Sequence, residues 1–341
     1  MNSFKNPENK IILRGNMDSI KVENITKKFG SLIAVGGINF SVKSGEIFGL
    51  LGPNGAGKST TLSILSTLGE LTSGKAFVNG FNVEKDKDKV RKSIGMVFQD
   101  PTLDEELTAY ENLDFHGRLY SVPKEIRETK IKELLKLVEL EERKDSLVKT
   151  FSGGMKRRLE IARGLLHEPK VLFLDEPTLG LDPQTRNKLW EYIKKLNEEK
   201  KLTIIITTHY MEEADKLCNR IAIIDKGKII ALDTPGNLKN KIGGDMITIS
   251  SNETVRLQRI LEICKFCKNI KKHDSRVTIN VENAGRRVAE IVRILERDKI
   301  KISSIVINKP SLEDVFLYYT GKTIREEEAN PLDKMRMRFR R

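Results

Sequence analysis

The eight residues "GPNGAGKS" (Gly52–Ser59) narrow the folds open to this 341-residue chain more than any other stretch. The spacing G-x-x-x-x-G-K-S is a phosphate-binding P-loop only where a buried strand runs in and a helix runs out. Both are in place: "EIFGLL" leads in as an apolar run of strand length, and "STTLSILSTL" leads out with helical character. In that setting Gly52, Pro53, Asn54, Gly55, Ala56 and Gly57 form a loop whose N–H groups curl round a β-phosphate, the glycines keeping Cβ atoms out of the way. Lys58 is placed to reach the β- and γ-phosphates as a point charge, Ser59 to offer its hydroxyl to Mg²⁺, and Thr60 to lie near the α-phosphate. An α/β fold follows, because a P-loop sits at the end of a parallel strand.

Further apolar strands end in polar groups, and strand ends are where ligands bind in an open α/β sheet. "KVLFLDEPTLGLDP" runs four apolar residues into Asp175 and Glu176, costly at a buried strand end unless they serve a cation or a water. Asp175 suits Mg²⁺, directly or through water, and Glu176 suits the general base that activates an attacking water. "LTIIITTH" ends in His209, read as a γ-phosphate sensor. "SIGMVFQD" repeats the device with Gln99, whose amide suits both Mg²⁺ and the attacking water.

A second anion-binding feature stands about a hundred residues downstream. "FSGGMKRRLEIARGLL" opens a helix with Ser152, Gly153 and Gly154, and the free N–H groups of a helix N-terminus favour negative charge.

Taken together these motifs resemble the nucleotide-binding subunit of ATP-binding-cassette (ABC) transporters over roughly residues 18–240. The resemblance implies a P-loop NTPase cassette with a RecA-like core, an antiparallel β subdomain and a helical signature subdomain. It also implies that ATP with Mg²⁺ is hydrolysed. In its terms Gly52–Ser59 is the Walker A loop, Gln99 the Q-loop glutamine, and Val171–Asp175 with Glu176 the Walker B strand and base. "FSGGM" is the signature, "LGLD" with Asp182 the D-loop, and His209 the switch histidine. Phe29 in "KKFG" takes the adenine-stacking position, without the hydroxyl of the commoner tyrosine. Phe151 and Met155 stand where many members have Leu and Gln, but the atoms expected to meet phosphate, the Ser152 hydroxyl and the Gly153 and Gly154 amides, are unchanged. The family arrangement implies a homodimer in which one subunit's signature completes the other's P-loop, and a separately encoded permease in the membrane.

About 94 residues separate Lys58 from Ser152, enough for a small helical subdomain (about 103–168) and too few for the long coiled coil of DNA-repair relatives. One P-loop and one signature also fit poorly with two-cassette translation factors. The formal net charge of +13 and the tail "KMRMRFRR" favour the rival reading, a soluble ATPase acting on nucleic acid or ribosomes. The main reading expects no nucleic-acid partner. The tail within 321–341 suits an anionic lipid surface or simply a solvated terminus, and residues 1–17 read as a flexible extension. No run approaches the length of a spanning helix and the N-terminus has no signal-peptide core, so a cytoplasmic protein is expected, peripheral on the membrane through the permease.

Beyond about residue 245 the order strand, helix, strand, strand, helix, strand predicts a small α+β ferredoxin-like accessory domain (245–320) without catalytic groups. Cys264 and Cys267 fall in its first helical pattern and read as packing residues, since a zinc site wants four ligands. "PSLEDVFLYYTGK" resembles the C-terminal signature of daunorubicin-resistance export cassettes, which pair with a permease of about six helices and imply export of a drug-like or hydrophobic compound. Asp104–Glu106 resembles that group's Q-loop region, which docks the permease.

Overall fold

The structure, a computed structural model, describes residues 18–320 apart from 243 and 274. The N-terminal extension and the basic tail lie outside the described residues. The chain opens with β1 (Asp18–Phe29), β2 (Leu32–Lys43), β3 (Ile47–Leu51), α1 (Lys58–Leu65), β4 (Ser73–Val78), β5 (Phe81–Asn82), α2 (Lys87–Ser93) and β6 (Ile94–Val97). Helices α3 (Ala109–Leu119), α4 (Lys124–Leu137) and α5 (Gly153–Leu165) follow, then β7 (Val171–Asp175), α6 (Pro183–Lys200), β8 (Thr203–Thr208), α7 (Met211–Leu217), β9 (Arg220–Asp225), β10 (Lys228–Asp233) and α8 (Pro235–Lys241). The last stretch holds β11 (Asp245–Ser250), α9 (Thr254–Ile263), β12 (Lys268–His273), β13 (Arg276–Val281), α10 (Ala284–Arg297), β14 (Ser304–Asn308) and α11 (Leu312–Thr320).

The central sheet runs β10-β9-β3-β8-β7-β6, parallel except for the β9–β10 hairpin. Strands β3, β7 and β8 are buried along their whole length, which explains their unbroken apolar sequences. The C-terminal ends of β3, β7 and β8 lie side by side, Leu51 opposite Thr208 and Asp175 opposite Thr207. That register, and not sequence proximity, assembles the motifs. An antiparallel sheet β2-β1-β4-β5 packs as a second layer, and α3, α4 and α5 form the expected helical subdomain.

Within that subdomain His116, Tyr120 and His167 gather, the Tyr120 and His167 rings stacked 3.9 Å apart. Burial, with the Arg163 charge and His167 beside it, pushes the His116 imidazole down to about 4. An unfolded histidine titrates near 6.5, so between those values the unfolded chain binds more protons and stability falls as pH falls. We expect unfolding free energy to drop by about 2 kcal/mol between pH 7 and pH 5 through this group. Denaturant melts of wild type and His116→Phe check it, the variant losing that part of the slope.

The C-terminal sheet runs β12-β13-β11-β14, the strand order of a ferredoxin-like fold, over its own core of Ile247, Ile249, Leu257, Val277, Ile279 and Leu295. Two features differ from the expectation. Helix α9 stops at Ile263, because Cys264 turns extended (ψ 106), and the Cys267 N–H closes a turn onto the Cys264 carbonyl at 2.9 Å. Both cysteines therefore lie in a turn, Cys267 packed against the small core. Helix α11 leaves this domain altogether: its Leu312, Val315 and Phe316 are buried in the ATPase core, against α7 and α8.

Candidate nucleotide-hydrolysis site

The P-loop has little freedom in its sequence because the sheet crowds it from behind. A Cβ on Gly52 would lie 2.1 Å from the Ile224 carbonyl oxygen, and one on Gly57 (φ +106°) 2.6 Å from that of Ala34. Both obstacles are backbone atoms of neighbouring strands, which cannot yield cheaply. The loop feeds directly into α1, whose first residue is Lys58, so it leads into the free N–H groups of a helix N-terminus.

Five of the expected residues meet in two adjacent bonded groups, Lys58–Glu176–His209 and Ser59–Asp175. Lys58 is buried and its Nζ donates to the carbonyls of Gly52 and Pro53 at 2.8 and 3.0 Å, with Glu176 Oε1 at 3.2 Å. The other Glu176 oxygen, Oε2, lies 3.0 Å from His209 Nδ1. Ser59 Oγ donates to Asp175 Oδ1 at 3.1 Å, placing a hydroxyl and a carboxylate together as hard oxygen donors suited to a divalent cation. Burial pushes the Glu176 carboxyl up, but the His209 hydrogen bond and the Lys58 charge outweigh it, and the group is held below its ordinary value. Glu176 also adopts a left-handed backbone (φ +45°), which turns its side chain from the strand line towards Lys58.

Thr207 was not legible as a site residue. Its hydroxyl donates to Asp175 Oδ1 and accepts from the Glu176 N–H at 3.0 Å, fixing both acids from the adjacent strand. The one available signal was its place two residues before His209 at a strand end.

The other expected residues lie on separate loops. Phe29 ends β1 at the β1–β2 turn and is 53% exposed, with Lys27 Nζ 4.8 Å from the ring centroid. Gln99 follows β6 with an exposed side chain. Ser152 caps α5, accepting from the Met155 N–H at 3.3 Å, and is exposed with Gly153; Gly154 lies against Thr185. Asp182 caps α6 by accepting from the Thr185 N–H at 3.0 Å. Asp104, Glu105 and Glu106 form an exposed turn ahead of α3.

Comparison with known proteins agrees with this geometry. A family model described as "ABC transporter" matches residues 35–179, and one described as "ATP-binding protein DrrA1-3-like, C-terminal domain" matches 234–320. The linearmycin resistance ATP-binding protein LnrL of Bacillus subtilis is 41% identical over 312 residues, covering 90% of this chain and 100% of that one. The daunorubicin resistance ATP-binding protein DrrA2 of Streptomyces coeruleorubidus is 39% identical, covering 91% and 98%. Among solved structures, a dimeric post-hydrolysis ATP-binding cassette bound to ADP and Pi aligns with a TM-score of 0.56 at 33% identity, covering 63% of this chain and 98% of that one.

Proposed function

The chain belongs to the ATP-binding-cassette transporter family as an ATP-binding subunit and ATPase, and on that premise we propose that it dimerises around two ATP–Mg²⁺ and drives a separate permease. The cargo of this reading is a drug-like or hydrophobic compound leaving the cell, in keeping with the resistance proteins it resembles. Among the described residues no helix is long and apolar enough to cross a membrane. In this reading the permease makes the crossing and this subunit docks on its cytoplasmic face.

One observation carries the reading. Buried Lys58 and Glu176 and part-buried His209 are bonded into a single group beside Ser59 and Asp175, while the second anion-binding helix start, Ser152–Gly153, is exposed on the helical subdomain. A phosphate chain in the P-loop is gripped from behind by Lys58 and open in front. The exposed Ser152 helix of a second copy supplies the missing front wall, and that copy receives the same in return.

In this scheme Ser59 and Asp175, with Gln99 on the adjacent loop, would hold Mg²⁺, and the bound ion would supply charge neutralisation at the phosphates. Phe29 stacks on adenine. Glu176 accepts the proton of the attacking water, and His209, bonded to it, fixes the direction of its carboxylate. Asp182 and its loop meet the partner subunit. Lys58, Ser59, Asp175, Glu176 and His209 are held in place before reaction, which is how phosphoryl transfer is accelerated.

Mixing two inactive proteins tests the reading. Lys58→Ala and Ser152→Ala should each be nearly inactive as homodimers. Mixed in equal amounts, half the dimers are heterodimers with one intact site, so up to about a quarter of wild-type phosphate release should return. Heterodimers that form and stay inactive overturn the shared site.

A further inference from the structure

We propose that Arg157 is a positioning residue that bolts the signature helix a subunit lends to its partner onto the catalytic groups it keeps for itself. The inference rests on the shared-site reading above.

Arg157 lies one turn into α5 and is 7% exposed. Its guanidinium uses its donors on backbone carbonyls at the ends of two different strands. Nε donates to Pro177 O at 2.8 Å, and Nη2 to Asp175 O at 3.0 Å and Glu176 O at 3.2 Å. Nη1 donates to Phe98 O, the residue before Gln99, and to Glu160 Oε2 at 2.8 Å. Glu160 is 1% exposed, and its other oxygen accepts the Thr102 N–H at 2.8 Å. Arg163 closes the set with Nη1 on Thr102 O at 2.6 Å.

Residues 98 and 102 bracket Gln99, so the Q-loop is tied to α5 at both ends. The same side chain holds the backbone of Asp175 and of Glu176, where φ is +45°. Helix α5 starts at Ser152. A displacement of that helix when its N-terminus meets the partner's phosphates is therefore passed to this subunit's own Gln99 and Glu176. A lysine cannot substitute: its ammonium is a point charge, whereas these carbonyls are spread around a planar fork.

The test extends the mixing experiment, placing Arg157→Lys on one protomer at a time. On the Lys58→Ala protomer it disturbs only the lent helix; on the Ser152→Ala protomer it disturbs only the kept catalytic groups. We expect either placement to lower the kcat recovered by the mixture about 10- to 100-fold, the scale of a small misplacement. The KM for ATP and the dissociation constant of a fluorescent ATP analogue should stay within about twofold, which loss of fold would not leave intact. Glu160→Gln, which keeps the shape and weakens the grip on the guanidinium, carries the same test if Arg157→Lys melts early. A full rate from either placement overturns the role, as does loss of nucleotide binding together with kcat in both variants. If the unmodified mixture fails to recover, the shared-site reading falls and this inference with it; if it recovers, only Arg157 is being judged.

Discussion

Glu176→Gln should lower kcat about 10²–10⁴-fold while ATP still binds, the range expected when a general base is removed and its shape kept. The geometry isolates the loss to proton transfer. The amide retains a carbonyl for Lys58, whose Nζ stands 3.2 Å from Glu176 Oε1, and the backbone stays pinned by Thr207. What disappears is the negative charge that accepts a proton. Single-turnover phosphate release measures the chemical step, and titration with a fluorescent ATP analogue measures binding. A Gln variant that keeps a tenth of wild-type turnover would show that another group takes the proton. The pH profile carries the same logic. The His209 hydrogen bond and the Lys58 charge hold the Glu176 carboxyl below the ordinary 4.5 against the opposing effect of burial. Its ionised form is therefore the resident one at neutral pH and is lost only as pH falls below the ordinary carboxylate range. An acid limb above that range must come from some other group.

Much of this site was legible because P-loop chemistry is local. Gly52–Ser59 must be contiguous to wrap a phosphate, and Asp175, Glu176 and His209 announce themselves by ending apolar strands whose parallel register then brings them together. Side chains whose meaning lies in what they touch across the fold were not legible. Glu212 and Glu213 are adjacent in "HYMEEAD" and look equally like solvated helix charges. Glu213 is nonetheless fully buried, its Oε1 accepting from Thr178 Oγ1 at 2.8 Å and from Trp190 Nε1 at 2.9 Å. Burial pushes its carboxyl upward, towards the neutral form. Arg157 sits beside Arg158 in a basic run, and only the carbonyls at the ends of β6 and β7 tell them apart. "PSLEDVFLYYTGK" was legible only as a family resemblance, and its packing was not, because Phe316 crosses from the accessory domain into the ATPase core.

Lys58→Ala is the second large effect expected, and it differs from Glu176→Gln by removing binding as well as turnover. Lys58 is 4% exposed, and its ammonium is held by two P-loop carbonyls and Glu176. A charged hydrogen bond to a phosphate contributes about 1.5–3 kcal/mol, so ATP affinity should fall about 10- to 150-fold. Turnover should fall further, because one of the two groups holding Glu176 ionised is gone: the carboxyl is left buried with His209 and shifts upward towards the protonated form. The effect is far larger than for a surface lysine, whose loss water screens from its neighbours. Lys58→Arg should not restore activity, since a planar fork replaces a point charge in a buried site fitted to the Gly52 and Pro53 carbonyls and Glu176 Oε1. Fluorescent-nucleotide titration and phosphate release on the same preparations separate the two losses. Wild-type affinity in Lys58→Ala would mean that the phosphates lie elsewhere. A variant that binds weakly yet turns over normally at saturating ATP would mean that Lys58 positions the nucleotide but does not sustain the charge on Glu176.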